Sequence, residues 1–385
     1  MKVGVIGLGK VGIPFALLCK ESGLSVVVSD NDEELIYNLN QNVCLTSEPY
    51  VQRMLFEQQG ITTSDPIEII TNSDIIFTFI ETLPFLDGNI DTSVVFEVAN
   101  LFFDVSKLDI PLYEKKFVIC TTTNPGDVEQ IQKKLDMFNI QVAYHPVLSE
   151  NGEIVSTLKN SDLLLIGTNH QQIFDNIIQI YQKIQNKSIN AFMMDTKSAE
   201  VAKLAISSFV SIKNTFANMV GNLMTNLGID KDINLVLNAM GGDSRIGAKE
   251  FKYSFGFGGP IISRDNKALN YILENSKTDV NLISKIDELN KLHLDFLKKK
   301  YVNQNPDKSI PFVINGLSYK KNTNILESSQ QYQLCLDLLN EGYTINVVED
   351  PLVSSKLNSL SESYNGRLKF FKVGSKVEGF LIDIP

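Results

Sequence analysis

The stretch Gly7-Leu8-Gly9-Lys10-Val11-Gly12 constrains the fold more than any other feature of the chain. It follows an apolar run at residues 2–7 and opens a helical stretch that reaches about Ser22. A second apolar run, Leu24 to Ser29, ends at Asp30. Strand, glycine turn, helix, strand and an acidic residue about 20 positions on form the dinucleotide-binding fingerprint. Gly7 permits the tight turn, Gly9 lets a pyrophosphate approach the backbone, and Gly12 lets helix and strand pack closely. The helix start at Lys10 and Val11 offers free N–H groups and the positive end of the helix dipole to phosphates. Asp30 would accept hydrogen bonds from the adenosine ribose and repel a 2′-phosphate, so NAD is favoured over NADP. The competing reading is a glycine turn that holds no ligand.

The β-α alternation continues through residue 195. Apolar strands are expected at 73–80, ending in Glu81-Thr82, at Phe117–Thr121, and near 140–144, 162–167 and 189–193. Helices are expected at about 91–103, 127–135 and 170–184. Such a repeat implies a parallel, doubly wound sheet. Ligands of these sheets sit beyond the carboxyl ends of the strands, where Thr82 and Thr122 fall.

The other 190 residues differ in texture. From Thr196 to about Leu227 there is no proline and one glycine, Gly221, so one helix of about 45 Å fits, at 1.5 Å per residue. A helix of that length spans two domains or builds a dimer interface. Glu200, Lys203 and Ser207 fall on neighbouring faces of it, a spacing at which a solvated ion pair is the ordinary outcome. A further helix near 279–300 precedes a second, smaller α/β unit. That unit has a strand at Ile310–Gly316, a helix at 327–341, a strand at 343–348 and a last strand at 377–384. The expected fold class is therefore α/β, with two Rossmann-like doubly wound domains joined by a long central helix. The expected division is 1–195, 196–305 and a shortened 306–385.

Composition narrows the function. The chain has 385 residues, a net charge of −10 and a pI near 5, which argues against nucleic acid as a partner. An anionic ligand must then be met by a local cluster of cations. No apolar run approaches the roughly 18 residues of a membrane span, and the start has no signal-peptide pattern, so a cytoplasmic protein is expected. Four cysteines (Cys19, Cys44, Cys120, Cys335) lack metal-ligand spacing, so no metal site or disulfide framework is expected. Cys120 lies in an apolar strand and reads as structural. Among lone residues in helical stretches, His293 reads as surface and Cys335 as core.

Eight stretches in order resemble the UDP-glucose/GDP-mannose dehydrogenase family over nearly the whole chain. They are Gly7 to Gly12 with Asp30, Ser47-Glu48-Pro49, Asp87-Gly88-Asn89-Ile90-Asp91, and Thr121 to Gly126. They continue with Ala199-Glu200-Val201-Ala202-Lys203, Asp243-Ser244-Arg245-Ile246-Gly247, Phe255 to Gly259 with Asp265, and Gly316 to Lys320 with Thr323. The resemblance implies NAD as cofactor and a UDP- or GDP-linked sugar as substrate. It assigns Lys203 to stabilising developing alkoxide charge, and Thr122 and Asp265 to orienting water and neighbouring groups. Ser207 stands at the family's asparagine position. Glu150, Arg245, Lys252, Phe255, Gly256 and Gly259 would meet the substrate, and Lys320 would lie near the nucleotide phosphates. A homodimer through the central helix is expected.

The departures fall in the chemistry. Family enzymes oxidise a sugar alcohol to a carboxylate with two NAD, through a cysteine-bound thiohemiacetal and thioester. Here the family's Gly-Gly-x-Cys reads Gly258-Gly259-Pro260-Ile261, and isoleucine cannot attack an aldehyde. In His145 to Gly152 the two family carboxylate positions hold Val147 and Asn151, although Glu150 serves after a one-residue shift. Glu327 stands where an NAD-contacting arginine is usual. A two-electron alcohol/carbonyl step needs only NAD, a positioned base and charge stabilisation. The alternative is a catalytically silent homologue that binds nucleotide sugar or NAD and regulates a partner.

Overall fold

The computed structural model describes residues 1–108, 110–321 and 323–384. They form two compact units, Met1–Ala205 and Ile206–Pro385. The division falls inside the helix Thr196–Asn226, whose 31 residues match the expected length.

The first unit is built on ten strands: β1 (Lys2–Ile6), β2 (Ser25–Ser29), β3 (Thr62–Thr63), β4 (Ile75–Thr78), β5 (Leu83–Pro84), β6 (Ile90–Asp91), β7 (Lys116–Ile119), β8 (Gln141–Tyr144), β9 (Leu164–Gly167) and β10 (Ala191–Met194). β5 and β6 make a separate hairpin, and the other eight form one sheet in the order β10-β9-β8-β7-β4-β1-β2-β3. From β3 to β8 every pairing is parallel.

The inner strands β1, β4, β7 and β8 are mostly apolar because both faces of the sheet are covered there, whereas β3 is Thr62-Thr63 and Phe192 and Met193 on the edge strand β10 are exposed. Along β4, Ile75 and Phe77 join the core on one face while Ile76 joins the core on the other, as a side-chain period of two requires. Phe77 is fully buried, worth about 1.5–3 kcal/mol. It packs against Phe15 at a centroid distance of 4.8 Å. A side chain on Gly4 would meet Ile69 Cγ2 at 2.5 Å, so the helix Pro66–Asn72 lies directly on β1.

The end of this sheet departs from the expected parallel arrangement. β9 runs antiparallel to β8, and β10 runs parallel to β9, so the last two strands reverse the direction of the other six. Side chains carry much of the join: Thr168 Oγ1 donates to Val142 O at 2.9 Å, and His145 Nδ1 faces Leu165 O at 2.9 Å. Pro146, directly after His145, has no N–H to extend the ladder. A short apolar run looks the same in either direction, so the alternation alone does not reveal the reversal.

The second unit has four parallel strands: β11 (Phe312–Asn315), β12 (Ile345–Glu349), β13 (Leu368–Lys372) and β14 (Phe380–Leu381). Their order is β13-β12-β11-β14. The strand at Leu368–Lys372 is not among those expected from sequence; Lys369 and Lys372 break its apolar run. Around this sheet pack the helices Ile286–Gln304 and Gln330–Asn340 and part of the long helix, through Ala217, Met224, Leu294, Leu297, Leu334 and Leu338.

Candidate active site

The glycine turn lies at the end of β1, where the strand order changes direction between β1 and β4. Gly7 has φ of +91°, and its N–H donates to Ser29 O at 2.9 Å. A Cβ on Gly12 would sit 2.0 Å from Gly7 O, so only glycine allows the helix Gly12–Glu21 to start this close to the turn. A Cβ on Gly9 would meet nothing within 4 Å, leaving open space over the exposed backbone of Gly9 and Lys10. Val11 stands at the N-cap and makes no side-chain cap hydrogen bond. A bare, uncapped helix start facing open space fits a pyrophosphate.

Asp30 closes the turn from the end of β2. Its Oδ2 accepts from Leu8 N at 2.5 Å and its Oδ1 from Asp32 N at 3.0 Å. Thr82 and Thr122 come together at the next two strand ends, both buried, with Thr82 Oγ1 donating to Thr122 O at 2.7 Å. Cys120 is buried beside them in sequence, and burial raises its thiol pKa well above the ordinary value, as a structural cysteine requires.

Two buried carboxylates organise the loops at these strand ends. Glu200 is fully buried rather than part of a solvated ion pair, and Lys203 is buried too. Glu200 Oε1 accepts from Thr123 Oγ1 at 2.8 Å and Val128 N at 3.1 Å, and Oε2 accepts from Gly126 N at 2.6 Å. It thereby caps the helix Asp127–Leu135, whose own N-cap is Gly126 and offers no side chain. Burial outweighs these three donors and pushes the Glu200 carboxyl up to about 7.

Glu48 does the same for the helix Ile154–Lys159, accepting from Gly152 N at 2.8 Å and Ile154 N at 2.6 Å. Burial likewise raises its pKa, against the backbone donors that lower it. The loop so fixed carries Glu150, which is exposed, Asn151, which is buried, and Val147, which packs on the core. Spacing alone does not reveal these two roles; the signal is that both residues fall in stretches that resemble the family, Ser47-Glu48-Pro49 and Ala199 to Lys203.

In the second unit the loop Phe255–Gly259 is held from several sides. Asn218 Oδ1 accepts from Ser254 N at 2.9 Å, and Asn214 Nδ2 donates to Ser254 Oγ at 2.9 Å. Asn290 bonds both ends of the Phe257 peptide groups, accepting from its N at 3.2 Å and donating to its O at 2.9 Å. Gly256 (φ +119°) lies so close to Asn290 that a Cβ would sit near Oδ1, and Gly259 (φ +81°) faces the Tyr319 ring in the same way.

His293 belongs to this frame, which corrects the expectation of a surface residue. It is buried, with Nε2 2.7 Å from Ser254 O and Nδ1 3.0 Å from Asn222 Oδ1. A polar residue on a helix reads as surface unless its partners on distant segments are known. Cys335 is in the core, as expected.

Gly259 caps the helix Pro260–Asn275, which places Ile261, half-buried, in its first turn. Asp265 is fully buried one turn further on, with Arg264 Nη2 3.1 Å from its Oδ1. Ser207 is half-buried on the long helix. Arg245 and Lys252 are exposed, and Arg245 grips Asp243 through Nη2 at 2.7 Å and Nε at 3.0 Å. That guanidinium holds the Asp243 carboxyl below its usual value. Lys320 is half-buried in the loop after β11, where its carbonyl accepts from Thr323 Oγ1, and Glu327 is exposed. Among the described residues no cluster of His, Cys, Asp and Glu forms a metal site, and no helix is long and apolar enough to cross a membrane.

Comparison with known proteins identifies the family. Residues 1–185 match the NAD binding domain of the UDP-glucose/GDP-mannose dehydrogenase family, and residues 197–292 match that family's central domain. The chain is 25% identical over 363 residues to a UDP-glucose 6-dehydrogenase of Rickettsia bellii, covering 91% of this chain and 81% of that one. It is 27% identical over 341 residues to the UDP-glucose 6-dehydrogenase TuaD of Bacillus subtilis, covering 85% and 71%. Its fold is shared with a UDP-glucose dehydrogenase of Pyrobaculum islandicum (TM-score 0.84, 21% identity, 96% and 85% covered). It is shared as well with the UDP-D-ManNAc dehydrogenase of Pyrococcus horikoshii (TM-score 0.76, 20% identity, 100% and 99% covered). The chain belongs to the UDP-glucose/GDP-mannose dehydrogenase family and is an NAD-dependent oxidoreductase of the class that acts on CH–OH groups.

Proposed function

We infer that the protein oxidises one alcohol of a UDP- or GDP-linked sugar to a carbonyl, or runs that step in reverse, and goes no further. The observation that carries this reading is Ile261 in the first turn of the helix Pro260–Asn275. The loop before it keeps its glycines and its braces, while the side chain that would trap an aldehyde is an alkyl group. NAD supplies the two-electron acceptor for the hydride. The chain's own residues handle proton and charge: Lys203 stabilises the developing alkoxide, with Thr122, Ser207 and Asp265 orienting the reacting groups. Gly7, Gly9, Lys10, Val11 and Gly12 hold the pyrophosphate, Asp30 the ribose, and Thr82 and Thr122 line the nicotinamide end. Glu150, Arg245, Lys252, Phe255, Gly256, Gly259 and Lys320 meet the sugar nucleotide. Family membership does not favour the silent-homologue alternative.

We carry the three-part division at 195 and 305 as part of the same reading, with the substrate nucleotide on residues 306–385. A homodimer through the long helix is supported by a stripe of exposed apolar side chains on it: Phe209, Phe216, Met219 and Leu223. They recur at steps of three, four and seven residues, which keeps them on one face. The experiment is NADH formation against a panel of UDP- and GDP-sugars. At least one sugar should give turnover, lost in Lys203→Ala. A protein that binds NAD yet reduces none with any of them contradicts the reading.

A further inference from the structure

We propose that Glu200 is a positioning residue, a strap that ties the loop carrying Thr122 to the helix turn carrying Lys203. The proposal rests on the roles given above to those two residues.

Glu200 is the fifth residue of the long helix and Lys203 lies three positions on, less than one turn away. Its carboxylate crosses to a different part of the chain and gathers three donors there, from Thr123, Gly126 and Val128. Thr123 directly follows Thr122, whose carbonyl is held from the other side by Thr82. The loop is thus fixed at both ends, once to the strand edge and once to the helix. A second carboxylate, Asp127, stiffens it locally through Thr92 Oγ1 at 2.9 Å and Asn124 Nδ2 at 2.9 Å, and among the described residues makes no hydrogen bond to the long helix. Removing Glu200 therefore frees the loop from Lys203 while leaving its internal turn intact.

The strap has a protonation state. Ionised, the carboxylate accepts from all three partners. Protonated, it has one O–H to place and accepts more weakly through its remaining lone pairs, and two of its partners are backbone N–H groups that cannot receive that proton. Only the Thr123 hydroxyl can turn round to accept it, so protonation weakens the strap. The charged groups around it are Asp127 on the capped helix, which disfavours the ionised form, and Lys197 on its own helix, whose ammonium lies by Gly126. Burial sets its titration near neutrality, so the strap tightens as pH rises through about 7.

The test compares Glu200→Gln with wild type, using UDP-glucose as substrate probe, NADH fluorescence for cofactor affinity, and amide hydrogen exchange at Gly126 and Val128. The carboxamide that Glu200→Gln introduces opposes the Gly126 N–H with another donor. Exchange at both residues should rise, and kcat should fall by about 100-fold, with KM and NADH affinity little changed. The remaining activity should lose its rise through neutral pH. Thr123→Val, which deletes one donor, should lower kcat by about tenfold, and Thr123→Ser should restore it. Unchanged exchange and unchanged kcat in Glu200→Gln, with Lys203→Ala inactive, overturn the strap and leave the site reading standing. A fully active Lys203→Ala overturns both. If Glu200→Gln does not fold, unchanged kcat in Thr123→Val overturns the strap by itself.

Discussion

The two sheets share one frame and use it differently. β3-β2-β1-β4 and β13-β12-β11-β14 have the same order, and each first strand ends in a positive-φ glycine, Gly7 or Gly316. In each, the glycine N–H donates to a carbonyl near the end of the second strand, Ser29 O at 2.9 Å and Val348 O at 3.0 Å. In each, the next N–H, of Leu8 or Leu317, donates to an acidic side chain at the second strand's end, Asp30 at 2.5 Å and Glu349 at 2.6 Å. The difference begins after the turn. In the first unit the helix starts at Gly12 behind a bare N-cap. In the second the helix starts only at Gln330, and Ser329 caps it, accepting from Tyr332 N at 3.3 Å and donating to Leu317 O at 2.6 Å. An acid-braced glycine turn is thus a structural device common to both. Of the two turns, the first alone leads straight into a helix N-terminus without a side-chain cap, the feature that a pyrophosphate uses.

The largest effect that would break this comparison is at Gly12. Gly12→Ala puts a Cβ on Gly7 O, and that backbone pair cannot separate without moving the turn. Binding of NADH should be lost, with stability falling by several kcal/mol (about 3 or more), whereas Gly9→Ala should fold normally and weaken only cofactor binding. Fluorescence titration and thermal melts separate the two. Equal behaviour of both variants would mean that the open space at Gly9 plays no part in binding.

The next effect belongs to the first unit alone, since it follows from Glu200. Its carboxyl is raised from an ordinary 4.5 to about 7 in the folded chain. Between those values the folded state binds the extra proton, so this group's stabilisation is present at low pH and lost as pH rises through about 7. The change is on the order of 3 kcal/mol. Melting of wild type from pH 5 to 7.5 should therefore fall relative to Glu200→Gln. A parallel pair of curves would show that Glu200 is ionised throughout.

A smaller effect sharpens the other side. Ser329→Ala removes the cap of the second unit's helix and should cost about 1 kcal/mol of stability with NADH affinity unchanged. A loss of NADH binding there would mean that the two turns are not separable as proposed.

The sequence disclosed the first turn in detail because glycine, apolar run and acid fall within one contiguous stretch. Residues whose role is set by distant partners were harder to read. Glu200 and Glu48 fall in family-like stretches, but the helices they cap lie far off in sequence, and His293 is buried between Ser254 and Asn222, so the local sequence does not show their partners. Strand direction was hidden for a similar reason: β9 and β10 have the same apolar texture as their parallel neighbours. Ile261 stood out because the glycines and Asp265 around it kept their places while it did not.

The central claim is that this substitution stops the chemistry at the carbonyl. Its most direct measurement is the number of NADH formed per sugar consumed, with the product identified by mass spectrometry. One NADH per sugar and an aldehyde or ketone are expected. Two NADH per sugar and a uronic acid would contradict the account, because they require a route to the carboxylate that Ile261 cannot provide.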